Sequence, residues 1–226
     1  MLNEGAQLPE ALLAHIPTRE DLLQHGVEVD WARWRKLTAE LGLSEPVGPF
    51  VGPGRTTVSR GDLLRMADSP ITSTAAVQLF YASLAWGLGR KARSLANRLR
   101  PLGDAATQKR LAEAWSAVRE GRSPEECYES LISQTGAGRI PFLGPAFATK
   151  FLYFATGTRQ EPQCLVLDAV VATKLRSIAW PDSPTTRWWP STYGRYCALL
   201  ARWARESHSE DMPVAPDQLE LALFRL

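Results

Sequence analysis

Hydrophobic positions recur mostly at helical spacing, and the pattern is strongest after residue 70. From Ile71 onward, apolar residues three and four positions apart predict a helix that stops at Trp86-Gly87-Leu88-Gly89. Outside residues 140–175, four further helices are predicted: around 92–99, over about 105–120, from Ser123 to about Gln134, and a final one over about 193–206. Their number predicts a mostly α-helical chain.

The first seventy residues carry a weaker pattern. Residues 17–26 and 30–42 have helical character, whereas residues 44–60 are rich in glycine and proline and predict an extended loop. The strand-like run of the second half is the short Cys164-Leu-Val-Leu. We therefore expect residues 1–70 to pack on a helical core of residues 71–226, and we allow for a small β element near the N-terminus.

Composition sets general limits. The chain has 226 residues, of which 45% are hydrophobic and 22% charged, as in ordinary globular proteins. No apolar run reaches membrane-spanning length and no basic stretch leads into an apolar one at the start, so we expect a cytoplasmic protein without membrane contact. Three widely spaced cysteines argue against a disulfide framework or a clustered metal site. We expect no metal, no cofactor and a monomer.

The charge balance is a weak signal for nucleic acid. The formal net charge is only +2, yet the 26 cationic residues comprise 21 arginines and five lysines. Arginine binds phosphate oxygens through a planar fork of donors, although a bias in coding composition gives the same ratio. With so few lysines, a lysine among apolar residues is worth considering for chemistry.

Residues 140–175 carry the candidate chemistry. Gly144-Pro145-Ala146 predicts a tight turn into a helix, whose free N–H groups form an anion site that suits DNA phosphate. Asp168 lies between an apolar run and a second helix that starts at Ala169, where the helix dipole keeps a carboxylate ionised. A plain helix N-cap is the common role of such an aspartate, and it is compatible with a catalytic one.

These residues resemble the helix-hairpin-helix DNA glycosylase superfamily. The turn at Gly144 is similar to its hairpin, and Leu167-Asp168-Ala-Val-Val to the segment that bears its catalytic aspartate. With Ala85-Trp-Gly-Leu-Gly, the stretch looks closest to bacterial proteins with an 8-oxoguanine DNA glycosylase fold. The resemblance covers about 71–226. It implies a two-lobed helical domain that binds double-stranded DNA, flips out a modified base and cleaves its N-glycosidic bond, with Asp168 as the catalytic carboxylate.

Two positions depart from the family pattern. Phe142 stands where the hairpin signature has its first glycine, and Ala146 stands where members with lyase activity have a nucleophilic lysine. Lys150 lies one helical turn later, on a similar face. Its aromatic neighbours could desolvate the amine and make it nucleophilic, so that the enzyme forms a Schiff base and cuts the strand. Alternatively Lys150 reaches solvent or phosphate, and the product is an abasic site.

Further residues are candidates for contacts with DNA. Trp86-Gly87 and Arg90 fall where related enzymes carry the loop that fills the gap left by a flipped base, although a buried tryptophan beside a helix break fits equally well. Arg139 either contacts phosphate or is solvated. Three aromatic residues are candidates to stack on the extruded base, although most of the eight tryptophans should belong to the core: Phe147, Trp188 and Trp189.

Several functions remain open at this point. The excised base is an oxidised purine such as 8-oxoguanine, or a bulky modified base such as the glucosylated cytosine of phage DNA, which would make the protein an antiviral defence enzyme. A non-catalytic helix-hairpin-helix protein that grips phosphates is a different class. A helical protein–protein module ranks last, because it makes both the hairpin and Asp168 coincidental.

Overall fold

The computed structural model describes residues 6–48, 52, 54–91, 94–132, 140–158, 161–207 and 213–226. These residues form a two-stranded antiparallel sheet, β1 (Gly26–Asp30) and β2 (Arg55–Ser59), with Gly26 opposite Ser59. They also form twelve α-helices: α1 (Glu10–Leu13), α2 (Arg19–Gln24), α3 (Trp31–Glu40), α4 (Arg60–Met66), α5 (Ser73–Leu88), α6 (Leu95–Leu99), α7 (Ala105–Arg119), α8 (Pro124–Leu131), α9 (Pro145–Ala155), α10 (Ala169–Ile178), α11 (Pro190–Ser207) and α12 (Pro216–Arg225). The predicted mostly helical class with a small β element near the N-terminus is confirmed.

Helix α5 lies at the centre of the molecule. Its residues from Ala76 to Trp86 are all buried, as expected for a helix that is apolar on every side. Helices α7 and α9 pack directly on α5, and α11 packs on α8 and α12. The buried side chains form one continuous hydrophobic core that runs from Ala6 to Leu223, so residues on both sides of position 70 share it.

Local start signals place several helices correctly. Ser123 caps α8 in a complete capping box with Glu126, and Pro124 occupies the first helical position. Helix α8 ends at Leu131, earlier than the predicted Gln134. Helices α9 and α10 begin at Pro145 and directly after Asp168, as the sequence predicts.

Two strand assignments were wrong. Residues 55–59, predicted as loop, form β2, because β1 offers them a partner that the local sequence does not reveal. Conversely, Cys164-Leu-Val-Leu forms no strand. Side chains satisfy its backbone instead: the Tyr193 hydroxyl bonds both the N–H and the carbonyl of Leu165, and the Tyr196 hydroxyl donates to the Val166 carbonyl.

Helix α12 was missed by the sequence analysis, which ended its last helix near residue 206. Pro216 to Leu223 are all buried, so no polar face marks the helix. The burial includes two acidic side chains, and each has a cationic partner. Asp217 accepts from Arg19 of α2, and Glu220 accepts from Arg60 of α4 at 2.5 Å. Helix α12 therefore joins the N-terminal residues to α10 and α11, which it also contacts.

Removing one partner of the Arg60–Glu220 ion pair should be strongly destabilising, because both groups are buried. Both side chains are 1% exposed. We expect Glu220→Gln to lower the free energy of unfolding by about 3–5 kcal/mol, because it leaves the Arg60 charge buried without a counter-charge. Chemical denaturation measures the change.

Two controls accompany this prediction. Glu120→Gln, which breaks the exposed pair with Arg122, should cost less than about 1 kcal/mol. The double variant Arg60→Met, Glu220→Leu removes both charges and should regain most of the stability. Equal losses in Glu220→Gln and Glu120→Gln would contradict the prediction.

Candidate active site

The two residues singled out as catalytic candidates form an ion pair. Lys150 Nζ donates to Asp168 Oδ2 at 2.9 Å. The other carboxylate oxygen, Oδ1, accepts the backbone N–H groups of Val170 and Val171 at 3.0 and 3.2 Å and so caps α10. Lys150 is only 5% exposed, whereas the Asp168 side chain is 19% exposed. Lys150 is therefore almost fully buried and does not extend into bulk solvent, whereas the carboxylate stays partly accessible.

Hydrogen bonds between the Thr149 side chain and the backbone of Leu167 place Lys150 and Asp168 side by side. The Thr149 hydroxyl donates to the Leu167 carbonyl at 3.0 Å and accepts from the Leu167 N–H at 3.1 Å. Thr149 and Leu167 directly precede Lys150 and Asp168 in the chain. The two Thr149–Leu167 hydrogen bonds therefore hold the start of α10 against the middle of α9. In this position Lys150 and Asp168 are close enough to form their ion pair.

The environment of Asp168 keeps its carboxylate ionised. Burial by itself raises the pKa, but the Lys150 ammonium and the two backbone N–H bonds outweigh it, so the pKa of Asp168 lies below the ordinary 3.8. At neutral pH the site thus presents a carboxylate held from both sides at the N-terminus of a helix.

The turn before α9 has an unusual conformation at its tip. The Leu143 N–H bonds the Ile140 carbonyl, and both of these side chains are buried. Phe142 adopts φ +60° and is 57% exposed. This left-handed backbone is what glycine adopts most easily, and glycine is the residue that the hairpin signature, which the sequence resembles, has at this position. An exposed aromatic ring in a strained backbone marks this turn as a candidate contact surface.

In the first turn of α9, the Ala146 N–H is the backbone donor that stays available. Gly144 is its N-cap and provides no side-chain hydrogen bond, and Pro145 occupies the first position. The Gly144 carbonyl accepts from the N–H groups of Phe147 and Ala148. Gly144, Pro145 and Ala146 are half-buried, so this helix start faces partly outward.

Helix α5 approaches the ion pair at Gly87. A Cβ atom at this position would lie 2.9 Å from both Lys150 Cδ and Phe147 Cε1. A side chain at Gly87 would therefore displace the lysine or the phenylalanine. Phe147 is half-buried and lies 4.3 Å from the Arg98 guanidinium, measured from its ring centroid.

Trp86 lies inside the protein, which does not fit the predicted wedge role. Its ring is 7% exposed, packs edge-on against Phe154 and His25, and has Lys150 Nζ at 6.0 Å from its centroid. The Trp86 side chain is therefore a buried neighbour of the lysine. The alternative of a buried tryptophan beside a helix break describes it correctly.

The remaining candidates are dispersed. Arg90 is exposed and pairs with Glu28 at 3.3 Å. Trp189 is exposed, whereas Trp188 is buried beside a cavity of about 10 Å³, which is too small for a nucleobase. This placement argues against Trp188 as part of a base pocket. Arg139 lies outside the described residues.

Sequence analysis missed a charged cluster behind the site. Arg60 is fully buried, and its guanidinium lies 5.0 Å from the Trp86 ring centroid and 5.2 Å from that of Tyr153. The Tyr153 hydroxyl donates to Asp217 at 2.9 Å. The sequence gives no sign of this cluster, because its members belong to α4, α9 and α12, which are far apart in the chain and meet only when it folds.

Within the described ranges, no group of three or more His, Cys, Asp or Glu side chains is placed to hold a metal ion. No helix in those ranges has the length and apolar character needed to cross a membrane.

Comparison with known families identifies the family of the chain. A family model described as "Putative 8-oxoguanine DNA glycosylase OGG-like protein" matches residues 20–224. The chain belongs to this OGG-like family. The match starts in α2 and ends in α12, so it also takes in N-terminal residues that the resemblance over 71–226 leaves out. Neither a search of curated proteins nor one of solved structures finds a match.

The ion pair predicts how the stability of the OGG-like protein depends on pH. Because the folded-state pKa of Asp168 is lowered, the stability it contributes is fully present well above 3.8 and is lost as the pH falls through the folded-state pKa. We expect Asp168→Asn to lower the free energy of unfolding at pH 7, and the difference from wild type to shrink steadily below about pH 4. Urea denaturation over pH 3–7 measures it.

Asp182→Asn, at an exposed aspartate, is the control and should differ little from wild type across this range. A difference between wild type and Asp168→Asn that stays constant down to pH 3 would show that the aspartate contributes no charge interaction.

Proposed function

We propose that this OGG-like protein is a DNA glycosylase that flips a modified base out of double-stranded DNA and cleaves its N-glycosidic bond. The observation that carries the proposal is the Lys150–Asp168 pair, an accessible carboxylate fixed at a helix N-terminus beside a buried amine. The family match supports it. The predicted partner is DNA. The reaction requires the enzyme to stabilise the positive charge that develops on the sugar.

Asp168 is the proposed catalytic carboxylate. When the bond between C1′ and the base nitrogen breaks, its electron pair leaves with the base and C1′ becomes positively charged. A rigid anion stabilises that charge without reorganisation at the moment of reaction. Asp168 meets this requirement because two backbone N–H groups and Lys150 hold it in place.

Lys150 is the proposed nucleophile. Its ammonium gives a proton to the departing base, and the neutral amine then forms a bond to C1′. One proton passes from that nitrogen through Asp168 to O4′, the sugar ring opens, and a protonated imine results. Loss of a C2′ proton then breaks the bond between C3′ and its oxygen and cuts the strand. If water attacks C1′ instead, the product is an abasic site.

The outward-facing turn and start of α9 are the proposed phosphate contact. Free N–H groups at a helix N-terminus bind anions, and α9 also carries Lys150. A phosphate held at Ala146 would therefore place the DNA backbone at one end of the helix that bears the nucleophile. Arg90 and the exposed Trp189 are further proposed contacts with DNA.

The base is the finer part of the proposal. The family description favours an oxidised purine, 8-oxoguanine. A bulky base such as glucosylated cytosine is the alternative, and it would make the protein a defence enzyme. Both possibilities use the same pair, so the experiment must offer both bases.

The catalytic roles predict distinct losses. On duplexes with one 8-oxoguanine or one glucosylated 5-hydroxymethylcytosine, we expect wild type to release one base, detected by strand cleavage. Asp168→Asn should lower the release rate by at least 10²–10³-fold, because it removes the charge that stabilises the cation. Lys150→Ala should abolish the covalent adduct that borohydride traps in the wild type.

Asp104→Asn is the matched control for Asp168. Asp104 caps α7 through two backbone N–H bonds, from Ala106 and Thr107, just as Asp168 caps α10. If Asp168 were only a cap, the two variants would release base equally well. If the wild type binds DNA in a salt-sensitive way but releases no base, the glycosylase proposal is wrong. The protein is then a non-catalytic module that binds DNA phosphates.

The phosphate contact predicts a charge effect at α9. Ala146 and Ala106 are each the second residue of a helix, where a glutamate stabilises the helix itself. We expect Ala146→Glu to weaken duplex binding roughly tenfold, because it places a negative charge where the phosphate would bind. The slope of log affinity against log salt should fall by about one. Ala106→Glu should leave both quantities unchanged, and equal effects of the two variants would contradict the contact.

A further inference from the structure

His25, which the sequence analysis left without a role, is held in place by three elements. It follows α2, and its carbonyl accepts the Arg60 N–H at 3.0 Å and the Trp86 indole N–H at 3.4 Å. Its ring packs edge-on against Trp86 at a centroid distance of 5.4 Å and lies 5.9 Å from the ring of Phe224. Residue His25 is half-buried, so it is not sealed inside the core.

Arg60 fixes which nitrogen of His25 carries the proton. Arg60 Nε–H donates to His25 Nδ1 at 3.3 Å. A guanidinium has no acceptor atom, so Nδ1 must accept and the ring hydrogen must lie on Nε2. Arg60 is itself held by the buried ion pair with Glu220. The imidazole therefore presents its Nε2–H as a donor of fixed direction.

The ring is neutral at physiological pH. Burial, helped by the charges of Arg60 and Arg225, lowers the pKa of His25 to about 4. Protonation of Nδ1 would also remove the bond from Arg60 and place a second cation beside it. Nε2 makes no hydrogen bond to any described residue, and so the donor is available to a ligand.

His25 shares its neighbour Trp86 with the catalytic lysine. The ring centroid of His25 and Nζ of Lys150 both lie within about 6 Å of the Trp86 ring centroid. Trp86 is therefore the common neighbour through which His25 is placed on the same side of α5 as the candidate site. Gly87, the next residue of α5, has no side chain, is exposed, and lies against Lys150.

From this arrangement we propose that His25 is a specificity-determining residue that donates its Nε2–H to a hydrogen-bond acceptor on the edge of the flipped base, and that Arg60 is its positioning residue. This inference rests on the proposed glycosylase function and deepens it. The preferred base carries a carbonyl oxygen or an unprotonated ring nitrogen at the edge that meets His25. The N-terminal residues thus supply base recognition, and α9 and α10 supply the chemistry.

Two variants separate the hydrogen bond from packing. His25→Phe keeps a ring against Trp86 and Phe224 but removes the donor, whereas His25→Gln keeps an N–H near the position of Nε2. On whichever of the 8-oxoguanine and glucosylated 5-hydroxymethylcytosine duplexes the wild type cleaves, we expect His25→Phe to lower kcat/KM about 10- to 100-fold, the range for one lost base contact. His25→Gln should recover a large part of the loss.

Binding to a duplex with a tetrahydrofuran abasic analogue is the matched readout, because that duplex has no base for His25 to contact. We expect His25→Phe to bind this duplex as tightly as the wild type does at a temperature where both are folded; its thermal midpoint should be lower, because the buried Arg60 Nε–H loses its acceptor. The double variant Arg60→Met, Glu220→Leu should lose kcat/KM to a similar extent while keeping abasic-duplex binding.

The outcomes distinguish this inference from the proposed function. If the wild type releases base and His25→Phe releases it equally fast, the role of His25 is overturned and the glycosylase stands. If His25→Phe weakens binding to the abasic duplex by the same factor, His25 acts on the fold or the DNA backbone, and the specificity role is likewise overturned. Release of neither base by the wild type overturns the glycosylase and this inference with it.

Discussion

Burial of the charges on α12 is the constraint on which the arrangement of the molecule depends. A carboxylate inside a protein must be paired, because leaving it uncompensated costs several kcal/mol. Glu220 finds its partner 160 residues earlier in Arg60, and Asp217 finds Arg19 and the Tyr153 hydroxyl. These pairs fix α2 and α4 against the C-terminal helix, and α12 in turn packs on α10.

In the candidate site, too, each charged group has a bonded partner. Asp168 divides its two oxygens between the backbone of α10 and Lys150 of α9, while Thr149 joins the same two segments through Leu167. Neither helix can shift along the other without breaking several bonds at once. A carboxylate held this way is ready for a developing positive charge, because it need not move to meet it.

Local sequence rules predicted a good part of this structure. Proline and N-cap signals located the starts of α8, α9 and α10, and they identified Asp168 correctly as a helix cap. Their failures have one cause, which is dependence on distant partners. Helix α12 lacks a polar face because its acidic residues are paired inside, and β2 needed β1 to be recognised. Cys164-Leu-Val-Leu lacks a strand because tyrosine hydroxyls and Thr149 satisfy its backbone.

The Arg60–Glu220 pair is difficult to explain by stability alone. Replacing a buried ion pair with apolar side chains of similar volume is often neutral or stabilising, so a methionine and a leucine would serve the core equally well. What apolar residues cannot do is donate to His25 Nδ1 and thereby fix the proton on Nε2. The matched family region, residues 20–224, begins just before His25 and includes both members of the pair. A fixed, neutral donor beside Trp86 is therefore the property that the buried charges provide, and it is the property that the proposed role of His25 in base recognition requires.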